Sequence, residues 1–528
     1  MALDFIAWAP EVQFLIVMLG LLYYGTGPAV TPVTEALWIP SGWTQPKPQG
    51  PKLDKPSAGP DYIPSHLTSW AIVTCLLSAW LIWDSPLSVL QAGGAFIRDP
   101  FTQIMGGFLM VFAAACLAAS NGWLQKAYVI HPEYIVLVLL AILGQHLLIM
   151  TSDLMALYLC LELQSFALVV LCSLNYTSPY AIEAGMKYFL LSAFSSCLLL
   201  LGIGLIYYET GLTRCSHIQE LLAADLEPNL TLYLGLWLVG VGLLWKLAAA
   251  PLHMWAADVY QGAWTSVTLL ISTLPKISVL AFWVHTWHTL WTTAFGEAIA
   301  IFSALSLIVG ALAPMAQSQL KRLLAFSSIS HMGFLLIPLV QGTEGLSALW
   351  AYLILYLLTN LALWGLMMWP FTRGKFSSAG PQSIWDLAGL NSYMPVAATA
   401  WAGGMLSLAG LPPVAGFLGK LGIFWWGLNQ QQYALMTLAL VATLLSTVYY
   451  LRVLKVAYVD QPKSWGQFDS LAPMNAYLIA IAWFSLAILL WHGTPLVLAS
   501  HLMALACSFF FLRFFKTIIR IDFEIMNL

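Results

Sequence analysis

A chain of 528 residues, 60% of them hydrophobic and 8% charged, with a mean hydropathy of +0.82, carries more apolar surface than one soluble core can hide. Its solvent must be lipid. The formal net charge of −3 and the absence of any nucleotide-binding loop exclude an obvious nucleotide site, and no nucleic-acid partner is expected.

The chain opens on an apolar run preceded by Asp4 and Glu11 rather than by a basic segment, and no small-residue cleavage site follows. Residues 1–26 are therefore expected to hold the first transmembrane helix. From Gly27 to Ser65 the sequence has nine of its 27 prolines together with Lys47, Lys52, Lys55 and Asp61, so 27–67 reads as an extended, solvated loop. Residues 68–498 then read as one transmembrane bundle. Apolar windows of about 17 to 25 residues match a bilayer core about 30 Å thick. They recur with centres near Leu19, Leu81, Val111, Leu140, Leu163, Leu198, Leu238, Ile271, Leu307, Leu335, Leu357, Leu411, Leu444 and Leu486. The expected fold is an all-α polytopic membrane protein of about fourteen helices. In the last part, 499–528, the stretch Leu496 to Leu512 fits either a fifteenth span or an interfacial segment, because Pro495 and His501 interrupt it.

Loop charges orient the bundle. With both termini on one side, Lys47, Lys52, Lys55, Lys126, Lys321, Arg322, Arg373, Lys375, Arg452, Lys455 and Lys463 fall opposite them. Arg98, Arg214, Arg513, Lys516 and Arg520 fall on the terminal side. The excess places the first set in the cytoplasm or mitochondrial matrix and both termini outside.

Five ionisable residues remain inside apolar runs: Glu162, Lys187, Lys246, Lys276 and Lys420. A charge at mid-membrane costs about 2.5–3.5 kcal/mol on insertion scales, so such groups face a bundle interior or a water path. The competing reading is that each lysine snorkels and the acid only ties helices together; Glu183, four residues before Lys187, offers that lysine a simple pair. Lys246 precedes Pro251 by five residues, and Pro412 and Pro413 precede Lys420, so two lysine-bearing helices are expected to be broken. Broken helices are tolerated in a membrane where they line a cavity or packed protein. Burial disfavours a charged lysine and a nearby carboxylate favours it, so lysines in a row, linked by water and by His253 or His331, have the chemistry of a proton relay. An ordinary hydrogen-bonded packing role is the alternative for either histidine. The seven cysteines form no CxxC pair and the ten histidines are scattered, so no metal, haem or iron–sulfur centre is expected.

The segments PEVQFLIV, LELQS with Glu162, EAGMKYFLLSAFSS with Lys187, KLAAAPLHMWAADVYQG with Lys246 and His253, TLPKIS with Lys276, KRLLAFSSISHMGF and AGLPPVAGFLGK with Lys420 resemble the subunit 2 family of NADH dehydrogenase, the antiporter-like membrane-arm subunits of respiratory complex I. The resemblance implies inverted five-helix repeats, an ion pair between Glu162 and Lys246, and a hydrophilic axis continued by Lys276 and Lys420. It also implies a proton-translocating role in an NADH:ubiquinone reductase. The other membrane-arm subunits and membrane lipids would be partners, and NADH, FMN, iron–sulfur clusters and quinone would belong to other subunits. It favours the mitochondrial inner membrane, with a bacterial plasma membrane as the alternative location. One departure stands out: the family's PDxYEGSPTPVT is ADVYQGAWTSVT here, which places Gln261 where an acid is usual. Two other functions remain, a stand-alone cation/proton antiporter using the same buried lysines and a structural scaffold that anchors neighbouring subunits of a complex. The topology is testable by itself: a cysteine introduced at Ser57 should be labelled by an impermeant thiol reagent only from the cytoplasmic or matrix side.

Overall fold

The structure is a computed structural model, and it describes residues 8–26, 63–85, 89–126, 132–176, 178–223, 229–340, 345–368, 381–412 and 414–461. Ten of its helices are long and apolar enough to cross a bilayer, and two shorter apolar helices accompany them. Every expected centre from Leu19 to Leu444 falls in a helix except Leu411, which falls in a break. The expected span at Leu486, the tail 499–528, Pro413 and most of the loop 27–67 lie outside the described residues.

The first helices are α1 (Ala9–Thr26) and α2 (Ile63–Asp84). Helix α2 starts inside the expected loop because Pro64 sits in its first turn, where a missing N–H breaks no helical hydrogen bond. A feature not foreseen in the all-helical reading follows, an antiparallel hairpin of β1 (Val89–Gln91) and β2 (Phe96–Arg98). Helices α3 (Pro100–Lys126), α4 (Glu133–Met150), α5 (Leu154–Ser173) and α6 (Pro179–Thr210) come next. At about 1.5 Å per residue, 32-residue α6 is roughly 48 Å long and outreaches a 30 Å core. Pro179 opens it, and Gly211 closes it in the left-handed conformation (φ 65°), returning its N–H to the Tyr207 carbonyl.

After the short α7 (Cys215–Ala223), α8 (Leu230–Lys246) and α9 (Met254–Gly262) form one interrupted span. Helix α10 (Thr265–Phe282) continues through a π turn at Trp283–Trp287 into α11 (His288–Leu312), which kinks at Phe295 (φ −144°, ψ 34°). Helices α12 (Leu320–Leu336) and α13 (Leu346–Met367) lead to a second interrupted span, α14 (Pro395–Ala409) and α15 (Gly416–Asn429), and then to α16 (Tyr433–Tyr458). The second break lies five spans after the first, as the lysine positions led one to expect. Successive spans alternate in direction, so an odd offset inverts one five-helix repeat relative to the other.

Packing sets where the polar residues go. Helix α10 is buried over its whole length, with α3, α4 and α13 against it. Elsewhere small residues bring helices together, since lipid supplies no hydrophobic drive between them. Helices α6 and α8 meet through Gly202 and Gly235: a Cβ on Gly202 would lie 2.8 Å from the Gly235 carbonyl oxygen, and one on Gly235 2.9 Å from that of Gly202. Gly202→Val must force these two helices apart. We expect a local penalty of about 1–3 kcal/mol, read as a lower dissociation temperature of the detergent-solubilised assembly.

Candidate functional site

The first break begins where α8 ends at Lys246. Ala248 takes a left-handed conformation (φ 58°), the Ala250–Pro251 peptide is cis, and α9 starts after His253. The Trp255 indole N–H donates to the Trp245 carbonyl at 3.0 Å, a carbonyl that also accepts from the Ala248 N–H at 3.0 Å. Lys246 Nζ and His253 Nδ1 are both buried without a hydrogen-bond partner in the chain. Glu162 on α5 is close enough to act on Lys246 electrostatically, yet no contact within 4.0 Å joins them. Its Oε2 accepts a long 3.4 Å hydrogen bond from Ser165, and its Oε1 is buried without a partner. The acid and the lysine are thus neighbours across a gap.

Lys187 stands apart from that gap. Its ammonium bonds Glu183 at 2.6 Å, one turn earlier on α6, and Asp258 of α9 at 2.7 Å, with 41% of its side chain exposed. Arg322 approaches Asp258 at 3.5 Å and donates to the Gln261 oxygen at 3.2 Å. Gln261 therefore serves as a neutral acceptor for Arg322.

Further along, α10 carries Pro275 and Lys276 in its buried middle. Lys276 donates to the Tyr356 hydroxyl of α13 at 2.6 Å and sits 4.7 Å from the centre of that ring. His331 of α12 is next: its ring lies 5.2 Å from the Tyr356 ring, Nδ1 is 2.6 Å from the Tyr352 hydroxyl and Nε2 is 3.2 Å from the Tyr450 hydroxyl. Tyr352, Tyr356 and Tyr450 were not singled out in the sequence. The spacing of Tyr352 and Tyr356, four residues apart and so on one face of α13, was the available signal.

At the second break, Lys420 of α15 donates to the Leu408 and Ala409 carbonyls at 2.9 and 2.8 Å. These are the last carbonyls of α14, left without helical partners where Gly410 turns left-handed (φ 76°). They carry the negative end of the helix dipole, which an ammonium complements. Gly410 is needed twice over, because a Cβ there would also lie 2.5 Å from Lys420 Cδ.

The arrangement is a row of buried polar groups between two helix breaks. Lys246 and His253 stand at one end, Lys276, Tyr356, His331, Tyr352 and Tyr450 are joined in the middle, and Lys420 is held at the other end.

The profile of the NADH:quinone oxidoreductase/Mrp antiporter transmembrane family matches residues 151–446. NADH-quinone oxidoreductase subunit N of Parvibaculum lavamentivorans is 35% identical over 433 residues, covering 81% of this chain and 88% of its own length. NADH-ubiquinone oxidoreductase chain 2 of Marchantia polymorpha is 35% identical over 82% of this chain and 88% of its own. Among solved structures, a chain of respiratory complex I from Thermus thermophilus superposes with a TM-score of 0.69 at 30% identity, over 82% of this chain and 93% of that one. A chain of the Mrp complex from Dietzia sp. reaches a TM-score of 0.71 at 19% identity, over 95% and 96% of the two chains, and shows a shared fold. With the profile running over more than half of its length, and both break-bearing spans inside or beside the matched region, the chain belongs to the NADH:quinone oxidoreductase/Mrp antiporter transmembrane family.

Proposed function

We propose that this chain is the subunit N, or chain 2, member of a proton-translocating NADH:quinone oxidoreductase, and that its own contribution is to move protons within the membrane. The NADH, FMN, iron–sulfur and quinone chemistry falls to other subunits. The observation that carries the reading is the buried row between the two breaks, in which lysines alternate with groups that both give and accept protons. A tyrosine hydroxyl or a neutral imidazole takes a proton on one side and gives one on the other. Lysine holds one as a point charge and releases it when its surroundings change.

The two ends of the row differ in a way that suggests a direction of control. Lys420 is fixed by two carbonyls, whereas Lys246 has no hydrogen-bond partner and is held by the field of Glu162 across a gap. A small movement of the Glu162 carboxylate changes that field strongly, because charges interact more strongly in a low-dielectric interior than in water. Asp258 on α9 ties the same interrupted span to Lys187 and Arg322, so displacement of α9 is felt both at the break and at that flank.

Assembled complex carrying Glu162→Ala or Lys246→Met, reconstituted into vesicles, should pump fewer protons per electron and turn over NADH more slowly. Normal pumping in an assembled Glu162→Ala complex would remove the acid from the mechanism. Lys420 separates a relay from a clamp. Lys420→Arg keeps donors for the Leu408 and Ala409 carbonyls but does not deprotonate, while Lys420→Met removes both functions. We expect Arg to restore assembly and thermal stability relative to Met but not the proton-to-electron ratio. Full rescue of pumping by Arg would reduce Lys420 to a cap on α14.

A further inference from the structure

The row of lysines is not the only buried ionisable group. Glu11 on α1, Arg98 at the end of β2 and His146 near the end of α4 are 3%, 1% and 1% exposed. One carboxylate oxygen, Glu11 Oε1, accepts from Arg98 Nη2 at 2.5 Å and meets His146 Nε2 at 2.9 Å. The next residue in the chain, Asp99, lies 3.6 Å from His285 Nε2. His285 belongs to the π turn Trp283–Trp287 that ends α10, and its ring stacks on Phe101 with centroids 5.3 Å apart. π turns inside helices recur at functional positions.

All five residues lie at one end of the bundle. Chain direction and loop charge agree on which end: α3 runs from Pro100, two residues after Arg98, to Lys126, and Lys126 belongs to the basic, inner set, so Arg98 and its neighbours face outward. The hairpin covers the cluster there. Phe96 bridges to Thr151, Asp153 bridges to Arg214, and Arg214 in turn bonds the Gly93 carbonyl. Asp153 and Arg214 are the charged groups that the α4–α5 and α6–α7 connections add around the cluster. On α11, His288 is the nearest further imidazole along the chain, and on α7 Gln219 holds the Thr286 carbonyl of the π turn at 3.0 Å. Helix α3 turns glycine towards His146: a Cβ on Gly106 would lie 3.1 Å from Nδ1.

A second observation sets this cluster apart from a simple ion-pair clasp. Glu11 Oε2, Arg98 Nη1, His146 Nδ1 and Asp99 Oδ2 are each buried with no hydrogen-bond partner in the chain. A clasp satisfies its own polar atoms; four unsatisfied ones in one place are the mark of a site built to hold water or an exchangeable proton. Asp99, 14% exposed at its side chain, is the member nearest open solvent.

We propose that Glu11, Arg98, His146, Asp99 and His285 form a proton-exchange site that connects the interior of this chain to the outer aqueous phase. The proposal rests on the proton-transfer reading above and goes beyond it, because these residues lie off the lysine row. A proton reaching the His285 imidazole passes to the Asp99 carboxylate when the 3.6 Å gap closes or one water bridges it, and from there to outer water. The imidazole returns to neutral and no other bond is made or broken. The Glu11, Arg98 and His146 set lies beside it, with one Glu11 carboxylate oxygen shared between Arg98 Nη2 and His146 Nε2. Lys276 precedes His285 by nine residues on the same span, about 14 Å at 1.5 Å per residue, which makes α10 the structural link between the two sites.

Three variants test this in the assembled complex, reconstituted with the Asp99 face towards a lumen of set pH. Asp99→Asn and His285→Phe remove titrating groups while keeping volume and the stack on Phe101. His146→Gln keeps a donor for Glu11. Glu11 itself is left intact, because its loss would strand the Arg98 charge. The initial pumping rate of the unaltered complex should depend on lumenal pH, and each variant should shift or abolish that dependence. Assembled variants with an unaltered pumping rate and lumenal-pH profile would overturn the proposal. The two readings fail separately: pumping lost in Lys246→Met but unaltered in all three cluster variants leaves the lysine row standing and makes this cluster a clasp. Normal pumping in Lys246→Met instead removes the row.

Discussion

In lipid, a carbonyl released by a break in a helix has no water to turn to, and the chain itself must supply a donor. That constraint organises both interrupted spans. At the second, among the described residues Lys420 donates to the Leu408 and Ala409 carbonyls, and Gly410 supplies both the left-handed turn and the room for its side chain. At the first, the Ala248 N–H and the Trp255 indole both take the Trp245 carbonyl, and Lys246 has no hydrogen-bond partner. One break thus fixes its lysine and the other leaves it to an electrostatic neighbour. A difference of mobility between two ionisable groups follows from which donor fills the gap.

The middle of the row depends on the burial of α10. A helix enclosed on all sides presents Lys276 to protein alone, so its ammonium is satisfied by a tyrosine hydroxyl and ring instead of reaching for an interface. The tyrosines of α13 and α16 then carry the contact on to His331. Buried networks of this kind are stable only when their members are paired, and here the pairing runs across four helices, which ties the packing of α10, α12, α13 and α16 to the continuity of the row.

The spans were legible in the sequence because each is a long apolar run, and the lysines because each is an anomaly within one. Pro251, Pro412 and the two lysines beside them pointed to the breaks, while the inversion of the repeat was implied by the family resemblance alone. The tyrosines were not legible: an aromatic residue in an apolar run is ordinary, and only the meeting of α12, α13 and α16 gives Tyr352, Tyr356 and Tyr450 a common partner. Glu11 read as a flank of the first apolar run, and Arg98 as a loop charge. Their burial is created by the hairpin, six strand residues too short and too apolar to stand out. For Lys187, Glu183 was visible one turn away, whereas Asp258 lies 71 residues later and becomes a partner only when α9 packs on α6.

The burial of α10 also has a consequence for how the chain is made. Lys276 and its partner Tyr356 are 80 residues apart. At synthesis rates of about 5–20 residues per second, Tyr356 leaves the ribosome roughly 4–16 s after Lys276. During that interval the eighth span has passed into the insertion machinery without the hydroxyl that will satisfy its ammonium, and α13, one of its packing walls, does not yet exist. The span is apolar enough to enter the bilayer regardless, with a mean hydropathy of 1.8. Closure of the bundle around α10 is therefore a late event of biogenesis.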